Sequence, residues 1–440
     1  LRGHSLRVDL GNPWDKDKSL GITGIAALAV LCNIEWANSS HWRSAKMKRL
    51  NITGDLDQLL VEAFADLHSG GGRSSISGGQ SSANLALSQL SLKGYAKDRS
   101  QVLPVGVRGA TVMSPYVRHN IISLSTLWEK AGSAAQSDRD KYRDELLWQE
   151  YARHLYARIG TRLFENLRFE QAWDAPGDGW PNGMACIDFA LDELNHEGWL
   201  VNQTRMWLAS HWTVRNGAGW LHGQERMYRE LIDGSRAANL LGWQWTVGSG
   251  TGKPYGFARW QVEKRAPELC RSCPLEKSCP IENFPASQVL EAVEPDSLLA
   301  RDPSPEATSG PLSPVQNRRP QVVLLTIESM GDRDPAMAAN PQLPVVFVFN
   351  EKALRKLKLS SKRLYFYLET LQDLSARRDL TVYLGDPFEF AKSNSVSITH
   401  ASVPSFRNFT DLAEIHPYPW FRIPHAGPVS SFSAWRRKVE

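Results

Sequence analysis

Apolar residues recur at helical spacing through most of the chain and at strand spacing in its last quarter. Ile25, Leu28, Ala29 and Leu31 form one helical stripe, and Leu56, Leu59, Leu60, Ala63, Phe64 and Leu67 form a second. Gly and Ser dominate Ser69–Ser82, which predicts a flexible loop. From Ala83 to about Trp245 few β-branched runs interrupt the helical pattern, and Leu194, Trp199, Met206 and Ala209 suit a buried helical face. Composition shifts at Ala286–Gln321 to Pro, Ser, Ala and charge, which predicts a linker. Short apolar runs then follow at Val322–Ile327, Val345–Phe349 and Thr381–Leu384, with a helix over Ser360–Ala376 between the last two. Such alternation predicts a small doubly wound parallel sheet. The fold class is thus α plus α/β: a helical extension at 1–70, an all-helical domain at 71–285, a linker at 286–321, and a Rossmann-like domain with an aromatic, proline-rich tail at 322–440.

A chain of 440 residues can bury a sizeable core. Its net charge of +4 excludes a polycationic tail but allows a local basic groove. The run Leu20–Ile34 is too short to span a bilayer, so a buried helix is expected there and no membrane span anywhere. A start at Leu1 suits a removed transit segment and a cropped chain equally.

Sixteen tryptophans exceed ordinary usage and favour stacking or electron transfer, although large core side chains account for many of them. The five cysteines argue against a secreted disulfide framework and for a reducing compartment, cytoplasmic or chloroplast. Cys270, Cys273 and Cys279 form C-x2-C-x5-C, with Cys186 upstream and Cys32 left over as a core thiol. Zinc or an iron–sulfur cluster could take these four thiolates. The absence of a histidine at zinc spacing, and the prolines after Cys273 and Cys279, favour the cluster.

The stretch WPNGMACIDFALDELNHEGWLVNQTRMWLASHWTVRNGAGW, followed by LIDGSRAANLLGWQW and ELCRSCPLEKSC, resembles the flavin domain of the photolyase/cryptochrome family. The resemblance extends to the branch of that family with a [4Fe–4S] cluster, through Cys186 in GMACID, Cys270 and Cys273 in CRSC, and Cys279 in SCP. It implies FAD, with Tyr95, Thr111, Met113, Ser114 and Tyr142 around the phosphates and Asn202 on the flavin. Arg205 would pair with Asp233 beside the ring, and Asn239 would face flavin N5. NQTRM stands for the more usual N-R-x-R-M, and Ser235 replaces a more common Asp. Trp243 and Trp220 match the first two members of the family's electron-transfer chain, while the third is obscured by a shortened segment around Trp173 and Trp180.

For substrate, the resemblance implies that Glu145, Trp148, Asn202, Met206 and Trp245 hold a flipped cyclobutane pyrimidine dimer. Lys253, Arg259, Lys264 and Arg265 are candidate phosphate contacts. Leu200-Val201-Asn202 replaces the His pair of (6-4) enzymes, and Gln149 stands where an Arg is usual. RDPAMAANPQLPVVFVFNEKAL (Arg333–Leu354) and Leu359–Pro387 resemble the family's antenna domain, which precedes the flavin domain elsewhere and follows it here. TIESMGDR replaces that domain's usual opening, so an antenna chromophore is left open. The expected function is light-dependent dimer splitting on damaged DNA. The alternative is a cryptochrome-like photosensor, or a non-catalytic subunit of a larger assembly.

Overall fold

The computed structural model describes residues 47–440, which belong to one unit, Trp42–Glu440. The stripe at Ile25–Leu31, the run Leu20–Ile34 and Cys32 lie outside the described residues. β1 (Lys48–Leu50) and α1 (Leu56–Phe64) come first. The helical block comprises α2 (Gln80–Gln89), α3 (Tyr95–Asp98), α4 (Ser114–Arg118), α5 (Leu124–Lys130), α6 (Gln136–Ile159), α7 (Ala185–Glu197), α8 (Asn202–Ser210), α9 (Trp220–Glu230) and α10 (Arg236–Thr246). α11 (Arg259–Arg265) and α12 (Pro267–Arg271) carry the cysteine segment, and α13 (Ser297–Ala300) and α14 (Pro305–Ser309) follow. The sheet region runs β2 (Val322–Leu325), α15 (Pro335–Ala339), β3 (Val345–Asn350), α16 (Glu351–Leu357), α17 (Ser361–Ser375), β4 (Leu380–Gly385), α18 (Pro387–Ser393), β5 (Val396–Thr399) and β6 (Ala413–His416). α19 (Phe432–Val439) ends the chain.

Local chemistry sets the element ends. Asp55 caps α1 by accepting from the backbone N–H groups of Asp57 and Gln58, and Leu56, Leu59, Leu60 and Phe64 then bury one face. Gly198, at φ 64°, stops α7, so Leu194 and Met206 belong to two successive helices instead of one continuous face. Asp386, followed by Pro387, starts α18 in the same way as Asp55 starts α1.

The six strands lie in the order β1-β4-β3-β2-β5-β6, with β2 to β6 parallel and β1 antiparallel on β4. Side chains alternate across the sheet as strand geometry requires. Val323, Leu325, Val345, Phe347 and Phe349 share a core with α1 and α17, whereas Val322, Leu324, Val346 and Val348 pack with Phe390 and Phe406 on the other face.

Three expectations change. Residues 48–50 form an edge strand of the sheet where helix was expected, because three residues are too few to show a period. Residues 286–321 do not span freely: Leu299 is buried, Asp302 pairs with Arg158 at 3.3 Å, and Val315 bridges to Ile415. β6 forms within the region read as tail, and beyond it the chain packs on α6, with Trp435 fully buried.

α17 joins the sheet layer to the helical layer. Lys362, buried, donates to Asn195 O (2.8 Å) and pairs with Glu230 (2.9 Å). Arg363, also buried, donates to Tyr228 O (3.0 Å), Gly234 O (2.6 Å) and the Tyr367 hydroxyl (2.6 Å). Removing Arg363 strands Tyr228 O and leaves Gly234 O with Arg118 Nε alone, each lost bond worth about 1–3 kcal/mol. Arg363→Met should therefore lower unfolding stability by about 3 kcal/mol in urea titration. An unchanged midpoint would show that the two layers do not depend on this contact.

Candidate functional site

The turn Leu231–Ser235, between α9 and α10, gathers the polar residues that the sequence singled out. Asp233 is buried, and its Oδ2 accepts from Arg205 Nη2 (2.7 Å) and Ser114 Oγ (2.6 Å). Its Oδ1 is buried with no hydrogen-bond partner among the described residues. Arg205 also donates to Leu200 O (3.0 Å), which fixes the guanidinium at the start of α8. Trp199 Nε1 donates to Ser114 Oγ (2.9 Å), so a Trp–Ser–Asp–Arg chain runs through the site. From the far side, Arg118 Nε and Arg363 Nη2 both donate to Gly234 O. Burial, together with the Arg118 and Arg363 cations, holds the His119 imidazole well below its ordinary pKa.

The pairing expected of Arg205 and Asp233 is therefore present, and the orphaned oxygen marks where an imide-like N–H donor would be satisfied. The phosphate candidates are distributed less simply. Ser114, at the first residue of α4, spends its hydroxyl on Asp233. Tyr95 and Tyr142 meet edge to face with ring centroids 4.9 Å apart. Burial pushes the Tyr142 phenol up to about 12, against the opposing effect of the Thr111 hydroxyl. Met113 is buried beside them in the same core. Ser235 serves as the N-cap of α10, accepting from Ala238 N. One turn on, Asn239 Nδ2 donates to Gln224 O (3.0 Å) and Gln224 Oε1 (3.1 Å). Gln224 was not anticipated, since nothing in its local sequence marks it.

The five substrate candidates fall on α6, α8 and α10, with α10 packed against each of the other two. Asn202 is exposed at the start of α8, and Met206 Sδ lies 4.0 Å from Thr246 Oγ1. Trp245 is 42 % exposed with its ring 5.2 Å from Tyr255. Glu145 is tied to Arg99 (3.2 Å) and Lys141 (3.0 Å). Trp148 is 37 % exposed but stacks on Phe432 of α19, with centroids 4.0 Å apart and planes 13° from parallel. One face of that ring is thus covered by the chain itself. Among the phosphate candidates, Lys253 and Lys264 are exposed, whereas Arg259 is committed to Glu263 (2.9 Å) and Glu282 (3.0 Å). Trp243 and Trp220 are both buried.

Cys186, Cys270, Cys273 and Cys279 are free thiols that line one pocket with Met184, Leu269, Leu275 and Ile281. Burial and the neighbouring sulfurs push the Cys186 thiol up to about 12, and burial pushes Cys270 up to about 11. No three His, Cys, Asp or Glu side chains among the described residues stand at the spacing of a single metal ion. No helix among them is long and apolar enough to cross a membrane.

The C-terminal segment is latched to α6 through buried Glu150, whose Oε1 accepts from the backbone N–H groups of Phe421 (2.8 Å) and Arg422 (2.9 Å). Trp435 Nε1 donates to His154 Nδ1 (2.9 Å), and Tyr151 donates to Val429 O (2.9 Å).

Residues 142–264 match the family model described as the FAD binding domain of DNA photolyase. The chain is 30% identical over 165 residues to a deoxyribodipyrimidine photo-lyase of Vibrio cholerae, covering 33% of this chain and 35% of that protein. It is 30% identical over 175 residues to a photo-lyase of Thermus thermophilus, covering 38% and 41%. The chain thus spans between a third and two fifths of the length of these two relatives. Two solved structures show a partial likeness. A class III photolyase from Agrobacterium tumefaciens gives a TM-score of 0.39 at 24% identity, covering 44% of each chain. A Synechocystis cryptochrome gives 0.40 at 21%, covering 48% of this chain and 50% of that one.

The Glu150 latch carries a pH signature. Burial alone would raise the Glu150 pKa, but His154, Arg153 and the Arg422 N–H bring it below the ordinary 4.5. Its contribution is complete above the unfolded value and is lost as pH falls through the folded one. Acidification below about pH 4 should therefore expose the C-terminal segment to proteolysis. Glu150→Gln, which keeps the acceptor oxygen but not the charge, should flatten that dependence. Equal pH profiles for both proteins would remove Glu150 as the cause.

Proposed function

We propose that this chain is a light-driven flavoprotein of photolyase/cryptochrome type that holds FAD on the Asp233 turn and splits cyclobutane pyrimidine dimers in DNA. The observation that carries this is the buried Arg205–Asp233 pair with one carboxylate oxygen left free, inside the segment that matches the flavin-domain model. Asp233, oriented by Arg205 and Ser114, would accept from the flavin ring. Asn239 would approach N5, with its amide oriented by Gln224. Tyr95, Thr111, Met113, Ser114 and Tyr142 would surround the rest of the cofactor, Asn202 would border the ring, and Ser235 would start α10 beneath it.

Reduced FAD supplies an electron on absorbing blue light. Trp245 and Trp148 would stack on the splayed bases, Met206 and Asn202 would border them, and Glu145 would stabilise the charge that develops on the dimer. With FAD bound, the electron would return to it once the ring had opened. Lys253 and Lys264 offer exposed cations to the DNA backbone.

A second reading, a photosensor or a subunit of a larger assembly, is favoured by the stacking of Trp148 on Phe432 and by the commitment of Glu145 to Arg99 and Lys141. Blue-light conversion of a thymine-dimer oligonucleotide by the reduced protein separates the two. Conversion supports the first reading, and no conversion with no preference for damaged DNA supports the second. In either case Trp243→Phe should slow photoreduction of bound FAD, with Trp220 as the relay partner that the resemblance suggests. A Trp243→Phe protein reduced at the normal rate would leave both rings as packing only.

The four thiols suit a [4Fe–4S] cluster of the family's iron–sulfur branch. They are free cysteines that line one pocket. A cluster there would tie α7 to the α11–α12 segment, and free thiols suit a reducing compartment. The purified protein should carry about four irons per chain, and Cys186→Ser should lose them. Stoichiometric zinc without iron would end this part of the proposal. The sheet layer is read as an antenna-type domain in permuted order, with no pigment assigned. At the switch point between β2 and β5 the crevice is filled by Ser329, Asp334 and Thr399, bonded to one another and to α15.

A further inference from the structure

Two large aromatic rings stand half in solvent beside the cysteine segment: Trp260, on α11, is 50 % exposed and Phe284 is 54 % exposed. They meet edge to face, with centroids 6.1 Å apart and planes at 69°. Such a contact occupies one face of one ring, and the exposure of both side chains leaves π surface to solvent. Lys264, one turn on along α11, is exposed and holds its ammonium 6.0 Å from the Trp260 ring centre. The backbone beneath is anchored, so the rings are held in place without being buried. Phe257, Ala258 and Val262 are buried, Arg259 N donates to Ile281 O (2.7 Å), and Arg215 Nη2 donates to Asn283 O (2.8 Å). Pro285 lies so close to Gly256 that a side chain there would collide with it, which seats the residue after Phe284. The pair also continues from the candidate substrate site. Trp245 lies 5.2 Å from Tyr255, whose hydroxyl accepts from Gln203 (3.2 Å), beside Asn202, and from Gln261 (3.4 Å), beside Trp260.

We propose that Trp260 and Phe284 form a stacking station for an unpaired base beside the dimer, with Lys264 at its phosphate, so that the preferred DNA is single-stranded next to the lesion. This rests on the dimer reading given above. Inside a duplex the faces of a base are covered by its neighbours, and only an unpaired base can lay one on an indole. The charge of the chain argues the same way. A net +4 gives little general attraction for phosphate, and Arg259 is already spent on Glu263 and Glu282. Affinity must then come mostly from stacking, which every base can supply whatever the sequence. Lys264 serves both parts, since it lies over the Trp260 ring and offers a cation to the strand that crosses it. At the dimer pocket Phe432 covers one face of Trp148, and a station outside the pocket offsets the grip lost there.

The test uses the full chain with FAD bound, kept in the dark, and a fluorescent oligonucleotide holding one thymine dimer, either single-stranded or annealed to its complement. Trp260→Ala should weaken binding of the single strand about tenfold and of the duplex by no more than about twofold. Trp260→Phe, which keeps a ring, should recover most of the loss. Lys264→Gln should lower the slope of log affinity against log salt by about 0.7 for the single strand. A 2-aminopurine placed at successive positions beside the dimer should lose fluorescence on binding at one position, and Trp260→Ala should restore it there. A merely structural role would single out no position. If wild type shows no preference for dimer DNA over the undamaged strand, the dimer reading fails and this station with it. If wild type prefers dimer DNA, and Trp260→Ala binds single strand and duplex as wild type does, the station is overturned and the dimer reading stands. A self-associated wild type that Trp260→Ala converts to monomer, with DNA affinity unchanged, would make the pair a protein contact and overturn the station as well. Should Trp260→Ala fold poorly, Phe284→Ala and the Lys264→Gln salt slope decide, and wild-type values in both would overturn it.

Discussion

The backbone of the turn Leu231–Ser235 is buried at the end of α9, where helix carbonyls have no partners of their own. Arginine supplies them. Arg363 reaches in from α17 of the sheet layer, Arg118 from α4, and Arg205 binds the Asp233 side chain from α8. Three guanidinium groups this close would repel one another, but Asp233 and Glu328 each take one in an ion pair, and Arg363 lies over the Tyr228 ring at 4.7 Å. The consequence reaches past stability. The orientation of Asp233, on which the flavin reading depends, is set in part by a residue that comes 130 positions later, on the layer that carries no flavin residue. The sheet layer therefore supports the site whether or not it carries a pigment.

That dependence marks the boundary of what the sequence made legible. Periodicity placed α17 and the strands β2 to β4 within a residue or two and the start of α1 at Leu56, because each buries a regular stripe or an alternating face. Arg205, Asp233 and the four cysteines were legible as motifs, and the structure brings each set together. Arg363 was not. In SSKRLYF it reads as the polar start of a helix, and only tertiary packing makes it a buried donor to two carbonyls. Nor was β1, since three residues gain a strand's identity only from the partner they pair with. The stretch 286–321 misled in the opposite direction. Its Pro and Ser content suits a linker, yet Leu299 and the Asp302–Arg158 pair pin it to the helical layer.

The choice between repair and sensing turns on the end of the chain. Trp148 was expected to offer a face to splayed bases, but Phe432 already occupies one. That contact is no loose cover: Trp435, three residues on, is fully buried and bonded to His154, and Arg436 holds Asp144 at 2.6 Å. An aromatic pair of this kind is worth about 1 kcal/mol beyond its buried area, while base stacking on the same ring is worth about 1–3 kcal/mol. The two are comparable, so Trp148 can serve a substrate only through its remaining face or by displacing a well-anchored helix. Trp245 has no such competitor in the described structure beyond Tyr255, and the site is thereby asymmetric.

Sixteen tryptophans announced a role for indole rings, but composition could not say which rings were connected. Two glycines show where two of these rings crowd together. Gly177 and Gly223 both abut the Trp212 ring, and at either one a Cβ would come within 2.8 Å of it. Gly223 sits inside α9, where glycine costs about 1 kcal/mol relative to alanine. Its presence there is accounted for by the closeness it allows between Trp243 and Trp212. Packing alone could be met by an alanine and a smaller ring, at lower cost to the helix. What the glycine adds is room for both indoles against α9 at a single point.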